Sequence, residues 1–379
     1  MAKRSIFEEV GSDTPKPTAT TGVIDAAGQG ARGPIRIWLV VLFVMVAAMI
    51  LIGGLTRLTD SGLSITEWAP ISGAIPPLNE TDWQEQFTAY QATDEFRLQN
   101  SAMTLAEFKT IFWWEWGHRQ LGRLIGVVWA IGFLGFLFTK RIPRRWTGRL
   151  LLLGALGGAQ GAVGWWMVAS GLGEGVVDVA SYRLAIHLGL AFVILGLIAW
   201  YILRMARSAH ETMTARRNGD AGLTRLMGVL VALTFVQILL GALVAGIDAG
   251  RNYTDWPLMA GGILPPDPLS LEPVWRNFFE DDGLVQFMHR VAGYLVVAVG
   301  VFAMLRGRRS AVGTTRGAFL AMGAMLVLQM ALGVMTVIYS APLLLAILHQ
   351  LGAVALWVLI LRARFHARYP YPQSLRGPV

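Results

Sequence analysis

Four histidines stand at matched places in the sequence and are the residues best suited to chemistry. His118 begins the segment HRQLG and His289 begins HRVAG, while His187 lies in AIHLG and His349 in AILHQLG. A lone histidine in an apolar segment more often forms a hydrogen bond between packed helices than ligates a metal. Four in matched pairs instead favour metal ligation, because imidazole is a common ligand of transition metals.

The elements that position these histidines must be membrane helices. The 379 residues are 54% hydrophobic and 15% charged, with a mean hydropathy of +0.52, which is the balance of an integral membrane protein. Cysteine is absent, which excludes disulfides, thiolate metal sites and iron–sulfur ligation. A bilayer requires about 20 apolar residues per helix, and the clear uncharged runs are Ile37–Thr56, Leu124–Thr139, Leu150–Gly173, Leu184–Leu203, Leu226–Ile247 and Val291–Leu305.

A last uncharged run, Gly317–Leu361, is too long to be one helix. As a single helix it would measure about 68 Å, over twice the hydrocarbon thickness of about 30 Å. The segment YSAP at Tyr339–Pro342 predicts a turn that divides it. The total is therefore eight spans, here called spans 1 to 8.

The basic residues predict the orientation of these spans. Of the 32 Lys and Arg, 23 lie in the N-terminal tail, between spans 2 and 3, between spans 4 and 5, after span 6 and after span 8. Such an excess marks the cytoplasmic side, so both termini are predicted to be cytoplasmic. The net charge of +8 is then an orientation signal rather than a nucleic-acid footprint. Residues 1–34 lack the features of a signal peptide and are interpreted as a disordered cytoplasmic tail.

The chain also repeats itself. LTDSGLSITEW after span 1 and AGIDAGRNYTDW after span 5 share the pattern D-x-G-x-x-x-T-[E/D]-W, 188 positions apart. The histidine segments repeat in the same order, as do QGAVG in span 3 and QMALG in span 7. The predicted fold is an all-α integral membrane protein of two pseudo-twofold-related four-helix bundles with long outer loops. The predicted units are 35–205 and 223–365, joined by a cytoplasmic linker at 206–222 and followed by a cytoplasmic tail at 366–379.

Within each bundle, two facing imidazoles suit heme iron. The predicted pairs are His118 with His187 and His289 with His349, whereas a lone zinc would require further ligands. All four fall near the outer ends of even-numbered spans, which argues against a transmembrane electron wire. Arg119 and Arg290 follow two of the histidines at the polar end where heme propionates would point, and Arg123 lies one turn deeper. The alternative for these arginines is snorkelling to the interface or pairing with acidic loop residues.

The two halves differ at one telling position. Glu115 stands three residues before His118, whereas Gln286 stands three residues before His289. Only the N-terminal pocket would then hold an ionisable carboxyl, which points to one reacting heme and one that serves it. The alternative is a carboxylate paired with Arg119 or Lys109. The remaining histidines, His210 and His366, lie among cytoplasmic bases and are predicted to be solvated.

At these residues the sequence resembles the heme A synthase family over nearly its whole length. The motifs that carry the resemblance are GGLTRLTDSGLSITEW at 53–68, EWGHRQLGR at 115–123, HLG from His187, HRVAGY at 289–294 and LHQLGA around His349. It implies oxidation of the C8 methyl of heme O to a formyl group by successive hydroxylations. It further implies that Glu115 is the catalytic carboxylate, that His118 and His187 flank the substrate heme, and that His289 and His349 hold a heme b.

The resemblance also implies surroundings and partners. Without cysteines, the chain is similar to the branch found in alphaproteobacteria and mitochondria, and a bacterial plasma membrane is expected, with the heme sites near the periplasmic side. Expected partners are the lipid bilayer, a heme O synthase, an electron donor such as ferredoxin or quinol, cytochrome oxidase assembly factors and a second copy of the chain. The residues leave two alternatives open: a diheme b-type quinol-linked electron-transfer protein, and a transporter with parallel repeats.

Overall fold

The computed structural model describes residues 32–371, and every long element in that range is a helix. Eight helices are long and apolar enough to cross a bilayer, which confirms the all-α membrane class and the number of spans. Spans 1 to 8 are Arg32–Leu58, Leu105–Phe138, Thr147–Val168, Ser181–Met205, Ala221–Gly246, Asp282–Gly307, Gly313–Ile338 and Leu343–Arg368. Most of the two predicted tails, residues 1–31 and 372–379, lies outside the described residues.

Shorter helices occupy the connections between spans. The loop after span 1 contains Ser72–Ala74, Glu80–Gln91 and Asp94–Leu98, and the loop after span 5 contains Val274–Arg276 and Asn277–Glu280. The predicted linker at 206–222 contains the helix Ala209–Arg217. A capping box formed by Ser208 and Glu211 stabilises the start of this helix. These short helices are too polar for the pattern of apolar runs to reveal.

The turn predicted in the last uncharged run is confirmed. Span 7 ends at Ile338 and span 8 begins at Leu343. Between them Ser340 and Ala341 have φ values of 61° and 52°, a left-handed conformation that ends a helix. Pro342 then occupies the N-cap position of span 8.

Span 2 begins much earlier than the uncharged run suggested. The helix starts at Leu105, where the Thr104 hydroxyl and the Glu107 carboxylate form a reciprocal capping box. Its 34 residues measure about 51 Å, far more than the hydrocarbon thickness. The uncharged run Leu124–Thr139 therefore predicted only the last part of this helix, because charged residues are tolerated in helical turns that project beyond the bilayer.

Each half of the chain closes into a four-helix bundle. Span 1 packs against spans 2 and 4, and span 3 packs against the same two neighbours. In the second half, spans 5 and 7 each pack against spans 6 and 8. The two bundles therefore have the same cyclic arrangement, as expected for parallel repeats.

Spans 1 and 4 of the first bundle meet spans 5 and 8 of the second. The Trp357 indole donates a 3.0 Å hydrogen bond to the Phe192 carbonyl, and the Gln350 amide donates a 2.5 Å bond to the Ile50 carbonyl. Buried apolar side chains from both bundles form one core cluster across this contact. The halves are thus packed as one body rather than joined only by the linker.

An arginine at the end of span 1 joins the two repeated loops. The Arg57 guanidinium lies 2.8 Å from the Asp60 carboxylate and 2.9 Å from that of Asp248. Asp60 and Asp248 are the equivalent residues of the repeat, and both have left-handed φ values, 48° and 53°. The repeat in sequence is therefore also a repeat in backbone conformation.

The two remaining histidines differ from each other. His210 is exposed, as predicted. The prediction that His366 is solvated was wrong, because its exposed fraction is only 6%. Span 8 continues to Arg368, so His366 is part of this helix. Its ring contacts the rings of Phe365 and Tyr371.

Candidate functional site

The four repeated histidines lie in two pairs, one in each bundle. His118 of span 2 is close enough to His187 of span 4 for their charges to interact, and His289 of span 6 is similarly close to His349 of span 8. All four side chains are half-buried. The structure thus brings together the same pairs that the sequence predicted.

Each imidazole rests against a glycine of the preceding odd-numbered span. A Cβ placed on Gly53 would lie 2.8 Å from Cε1 of His118, and one on Gly164 would lie 2.9 Å from Cε1 of His187. Gly241 and Gly333 give the same 2.9 Å distance to His289 and His349. Since real Cβ atoms do not approach this closely, an alanine at any of these positions would displace the imidazole.

Three of the four imidazoles also contact a glutamine one helical turn before that glycine. The Gln160 amide nitrogen lies 3.2 Å from Nδ1 of His187, and the Gln329 amide nitrogen lies 3.2 Å from Nδ1 of His349. Both amides also donate to the backbone carbonyl of the histidine, at 3.0 Å and 2.9 Å. These contacts fix the ring relative to its own helix.

The third glutamine, Gln237, places its amide nitrogen 3.1 Å from Nδ1 of His289. No such contact exists for His118 among the described residues, and its Nδ1 is buried without a hydrogen-bond partner. The glutamines and glycines have a sequence signal, Q-x-x-x-G in spans 3, 5 and 7. The repeat of QGAVG and QMALG revealed this pattern in spans 3 and 7, but the sequence did not show that these residues contact the histidines.

The residues of each bundle fit a heme. Two paired imidazoles, each partly exposed and cleared of side chains on one side by a glycine, are suited to iron ligation from opposite faces. The glutamine amides donate towards these rings, and the amide nitrogens of Gln160 and Gln237 also lie 3.3 Å and 3.2 Å from Nε2 of His187 and His289, so they position the imidazoles but accept no N–H from them. Within residues 32–371, no group of three or more acidic or histidine side chains is placed to hold a metal ion, so each site offers two imidazoles.

Glu115 is buried, with an exposed fraction of 3%, and its carboxylate is fully engaged. One oxygen accepts hydrogen bonds from the Ser64 hydroxyl at 2.7 Å and from the Ile65 backbone N–H at 2.8 Å. The other accepts from the Arg119 guanidinium at 2.6 Å and 3.1 Å. Of the partners considered from the sequence, Arg119 is therefore present, whereas Lys109 pairs with Glu80 instead.

Gln286 occupies the equivalent place in the second bundle and also accepts from the following arginine, but it donates to the loop backbone where Glu115 accepts from it. Its amide nitrogen donates to the carbonyls of Ala249 at 2.7 Å and Tyr253 at 3.2 Å, and its amide oxygen accepts from Arg290 at 2.8 Å. Tyr253 and Ile65 are equivalent in the repeat. The same scaffold thus receives an acid in one half and a neutral amide in the other.

The three arginines named from the sequence hold the repeated loops through backbone carbonyls. Arg119 donates to Ile65 and Glu67, and Arg290 donates to Tyr253 and Leu258, at 2.8–3.0 Å. Arg123 donates to the carbonyls of Ala69 and Pro70 at 2.8 Å and 2.9 Å. Attachment of the loops to spans 2 and 6 is a role that the sequence did not reveal, because the acceptors are backbone atoms.

A second buried acid lies in the loop of the first bundle and was not singled out from the sequence. Glu95 has an exposed fraction of 3%, and its Oε2 has no hydrogen-bond partner. Burial raises its pKa to about 8, with the carboxylates of Glu115, Asp178 and Asp60 adding to the shift and a hydrogen bond with Tyr90 opposing it. In the second loop, by contrast, the backbone N–H groups of Gly261 and Ala260 lower the pKa of Asp255.

Comparison with known proteins agrees with this geometry. A family model described as "Cytochrome oxidase assembly protein" matches residues 36–361. Proteins named "Heme A synthase" are similar over their full length. The one from Ruegeria pomeroyi is 63% identical over 99% of this chain and 100% of its own length. Those from Dinoroseobacter shibae and Paracoccus denitrificans are 63% and 60% identical, each over 100% of this chain and 99–100% of their own lengths. These names give no support to the alternative of a quinol-linked electron-transfer protein.

Proposed function

The chain belongs to the heme A synthase family, and we propose that its two bundles divide the reaction between a substrate heme and a permanent heme. It is a membrane oxidoreductase that converts heme O to heme A. In the proposal, heme O binds between His118 and His187, and heme b is held between His289 and His349. The observation that carries this division is one imidazole pair in each bundle with a carboxylate at Glu115 and an amide at Gln286.

The proposed reaction oxidises the C8 methyl group of heme O by two successive hydroxylations to a geminal diol, which loses water to leave the formyl group. In each hydroxylation, dioxygen takes two electrons from the external donor and two protons, one oxygen atom forms the hydroxyl group and the other leaves as water. Heme b supplies electron transfer when bound. Glu115 is proposed as the catalytic carboxylate. Its hydrogen bonds to Ser64, Ile65 and Arg119 hold it rigidly, so its role is a fixed charge that stabilises positive charge on the substrate, which requires no reorganisation during the reaction.

Arg119 and Arg290 are proposed to face the heme propionates while they hold the loops. Each guanidinium has five N–H donors. Arg119 uses four of them, on Glu115, Glu67 and Ile65, and Arg290 uses three, on Tyr253, Leu258 and Gln286. Arg123 uses three, on Pro70, Gln120 and Ala69, and is proposed as a third propionate contact. In this arrangement a propionate would link the heme to the loop that covers it.

We propose that the protein lies in the bacterial plasma membrane with both termini in the cytoplasm and both heme sites near the periplasm. The distribution of basic residues supports this orientation. The short connections between spans 2 and 3 and between spans 6 and 7 carry many of the arginines, whereas the loops after spans 1 and 5 are acidic. In this proposal the unit 35–205 is the bundle that binds the substrate heme, and the unit 223–365 is the bundle that holds heme b.

The family description supports a place in cytochrome oxidase assembly. We propose that a heme O synthase supplies the substrate, that ferredoxin or a quinol supplies electrons, and that assembly factors receive the product. A homo-oligomer is also proposed. None of these partners is needed to explain the contacts within the chain.

Coexpression with a heme O synthase tests the proposed function. We expect pigment extracted from the purified protein to contain heme B together with heme O and heme A. Heme B alone, in cells that make heme O, would contradict it. Growth with the heme O synthase omitted is the matched control and should leave heme B as the extracted heme.

A further inference from the structure

The loops after spans 1 and 5 each contain an uncharged segment with exposed aliphatic side chains. Residues 68–79 and 256–266, here called the loop tips, carry no charged residue, although both loops are acidic elsewhere. Three large aliphatic side chains of each tip are 42% to 87% exposed: Ile71, Ile75 and Leu78 in the first, and Leu258, Ile263 and Leu264 in the second. Apolar surface of this kind marks a contact with a membrane or with another protein.

Both loop tips fold back along the span that follows their loop. The Arg123 guanidinium of span 2 donates to the carbonyls of Ala69 and Pro70 at 2.8 Å and 2.9 Å. In the second half, the Trp256 indole donates a 3.0 Å hydrogen bond to the Tyr294 hydroxyl of span 6. Arg123 and Tyr294 each follow their histidine by five residues, so the two attachments lie at equivalent positions of the repeat.

These attachments lie at the depth of the bilayer. Span 2 ends at Phe138 and span 6 at Gly307, where the neighbouring basic residues mark one membrane surface. Along the helices, Arg123 lies about 22 Å from Phe138, and Tyr294 lies about 20 Å from Gly307. Both distances are shorter than the hydrocarbon thickness of about 30 Å, and helix tilt would shorten them further along the membrane normal. The tips are therefore held within the leaflet on the side of the four histidines.

The backbone of each tip is largely satisfied without water, as a segment in contact with lipid requires. Each tip contains three prolines, which have no N–H to pair. In the first tip, three consecutive amides from Gly73 onwards donate to carbonyls of the same tip. In the second, Met259 and Gly262 bond to each other through both amides at 2.8 Å and 3.0 Å, and the Asp255 carboxylate accepts two further backbone N–H groups.

The tips are also continuous with the lipid-facing surface of the spans beside them. Leu124 directly follows Arg123, and Leu295 directly follows Tyr294; both leucines are half-exposed in a membrane span. Trp68 and Trp256 begin the two tips and are partly exposed, and tryptophan is enriched where a protein crosses the membrane interface. The same apolar environment that covers the two leucines therefore reaches the tips.

We propose that the two loop tips insert into the bilayer as interfacial anchors, with lipid around Ile71, Ile75 and Ile263. The partner is a lipid surface, and no second protein is needed to cover the tips. Because Arg119 and Arg290 bond to the same loops, insertion holds each loop against the span that carries a histidine. The proposal goes beyond the proposed function and does not depend on which bundle binds the substrate.

The absence of cysteine from the chain allows single sites to be spin-labelled. Ile75→Cys and Ile263→Cys are made singly in the full-length chain, labelled with a nitroxide and reconstituted in phosphatidylcholine vesicles. Electron paramagnetic resonance then compares collisions of the label with oxygen, which concentrates in lipid, and with a water-soluble nickel chelate. Val127→Cys, on the exposed face of span 2, is the membrane standard, and Gln84→Cys, exposed in the helix Glu80–Gln91, is the aqueous standard.

We expect the ratio of oxygen to nickel collisions at both tips to lie several-fold above that of Gln84→Cys and close to that of Val127→Cys. A ratio at either tip equal to the aqueous standard would overturn the proposal. Exclusion of both reagents would show that protein covers the tip, which would overturn it as well. Leu78→Cys and Leu264→Cys repeat the measurement at a second exposed site of each tip, so a variant that does not fold leaves the test intact.

Discussion

The loops after spans 1 and 5 are attached to the next span in the same way, yet they meet different chemistry. In both halves an arginine that follows the histidine bonds to the equivalent carbonyls, Ile65 and Tyr253. In each half the arginine also donates to a side chain on its own helix, which is a carboxylate in the first half, Glu115, and an amide in the second, Gln286. The scaffold is thus duplicated and the reactive group is not, which separates residues that build the site from residues that make the halves differ.

The largest expected effect comes from removing a ligand of the second bundle. His289→Ala leaves heme b with one imidazole, and we expect it to abolish both bound heme b and heme A formation, because the electron path is lost. Extraction of hemes from purified protein measures the first effect, and heme A content of the cells measures the second. Retention of heme B at one heme per chain would show that His289 is not a required ligand.

Exchanging the acid and the amide tests the difference between the halves. Glu115→Gln should retain both hemes but lower heme A formation at least about 100-fold, the scale of a lost electrostatic contact to developing charge. Gln286→Glu is the matched change in the other half, where a carboxylate cannot donate to the carbonyls of Ala249 and Tyr253. It should weaken the loop without creating a second reacting site. Near-normal heme A output from Glu115→Gln would remove Glu115 from the mechanism.

An intermediate effect is expected from filling a glycine that supports an imidazole. In Gly333→Ala the new methyl group would lie 2.9 Å from Cε1 of His349, so the ring must turn and its bond to iron weakens. We expect heme b affinity to fall about 10-fold, measured by heme retained during purification. Gly317→Ala in the same span meets nothing within 4 Å and is the control. Equal heme retention in the two variants would contradict the proposed support.

The smallest effect concerns pH and the buried acid in the first loop. The pKa of Glu95 is raised from 4.5 to about 8 by burial, so the folded chain keeps a proton that the unfolded chain releases above pH 4.5. Its contribution to stability is therefore present at low pH and is lost as pH rises towards 8. Glu95→Gln should reduce the fall in melting temperature that the unaltered chain shows from about pH 5.5 to about pH 8.

The control for this pH effect lies in the other loop. Asp255 has a pKa lowered by backbone N–H groups, so it is already ionised across this range and Asp255→Asn should leave the slope unchanged. An identical pH slope in the unaltered chain and in Glu95→Gln would show that Glu95 does not control it.

The spans and the pairing of the histidines were predicted from the sequence because both depend on patterns along the linear chain. Charge-free runs mark the bilayer, and the repeat of HRQLG and HRVAG marks equivalent positions. It did not predict that span 2 extends to Leu105, since polar helical turns outside the bilayer carry no apolar signal. Nor did it predict that His366 is buried, because burial there depends on packing between the end of span 8 and its neighbours.

Contacts to backbone atoms were also invisible in the sequence. The guanidinium groups of Arg119, Arg123 and Arg290 bond to loop carbonyls, and any residue type could supply such an acceptor. The glutamine contacts required the angular position of each side chain around its helix, which places Gln160, Gln237 and Gln329 beside a histidine of the next span.

The central claim is that the first bundle holds the substrate heme and the second holds heme b. It is tested most directly by extracting hemes from the double variant His118→Ala and His187→Ala, purified from cells that make heme O. We expect heme B at one heme per chain and neither heme O nor heme A. Heme O or heme A retained at one per chain, with heme B absent, would show that the two bundles have the opposite roles.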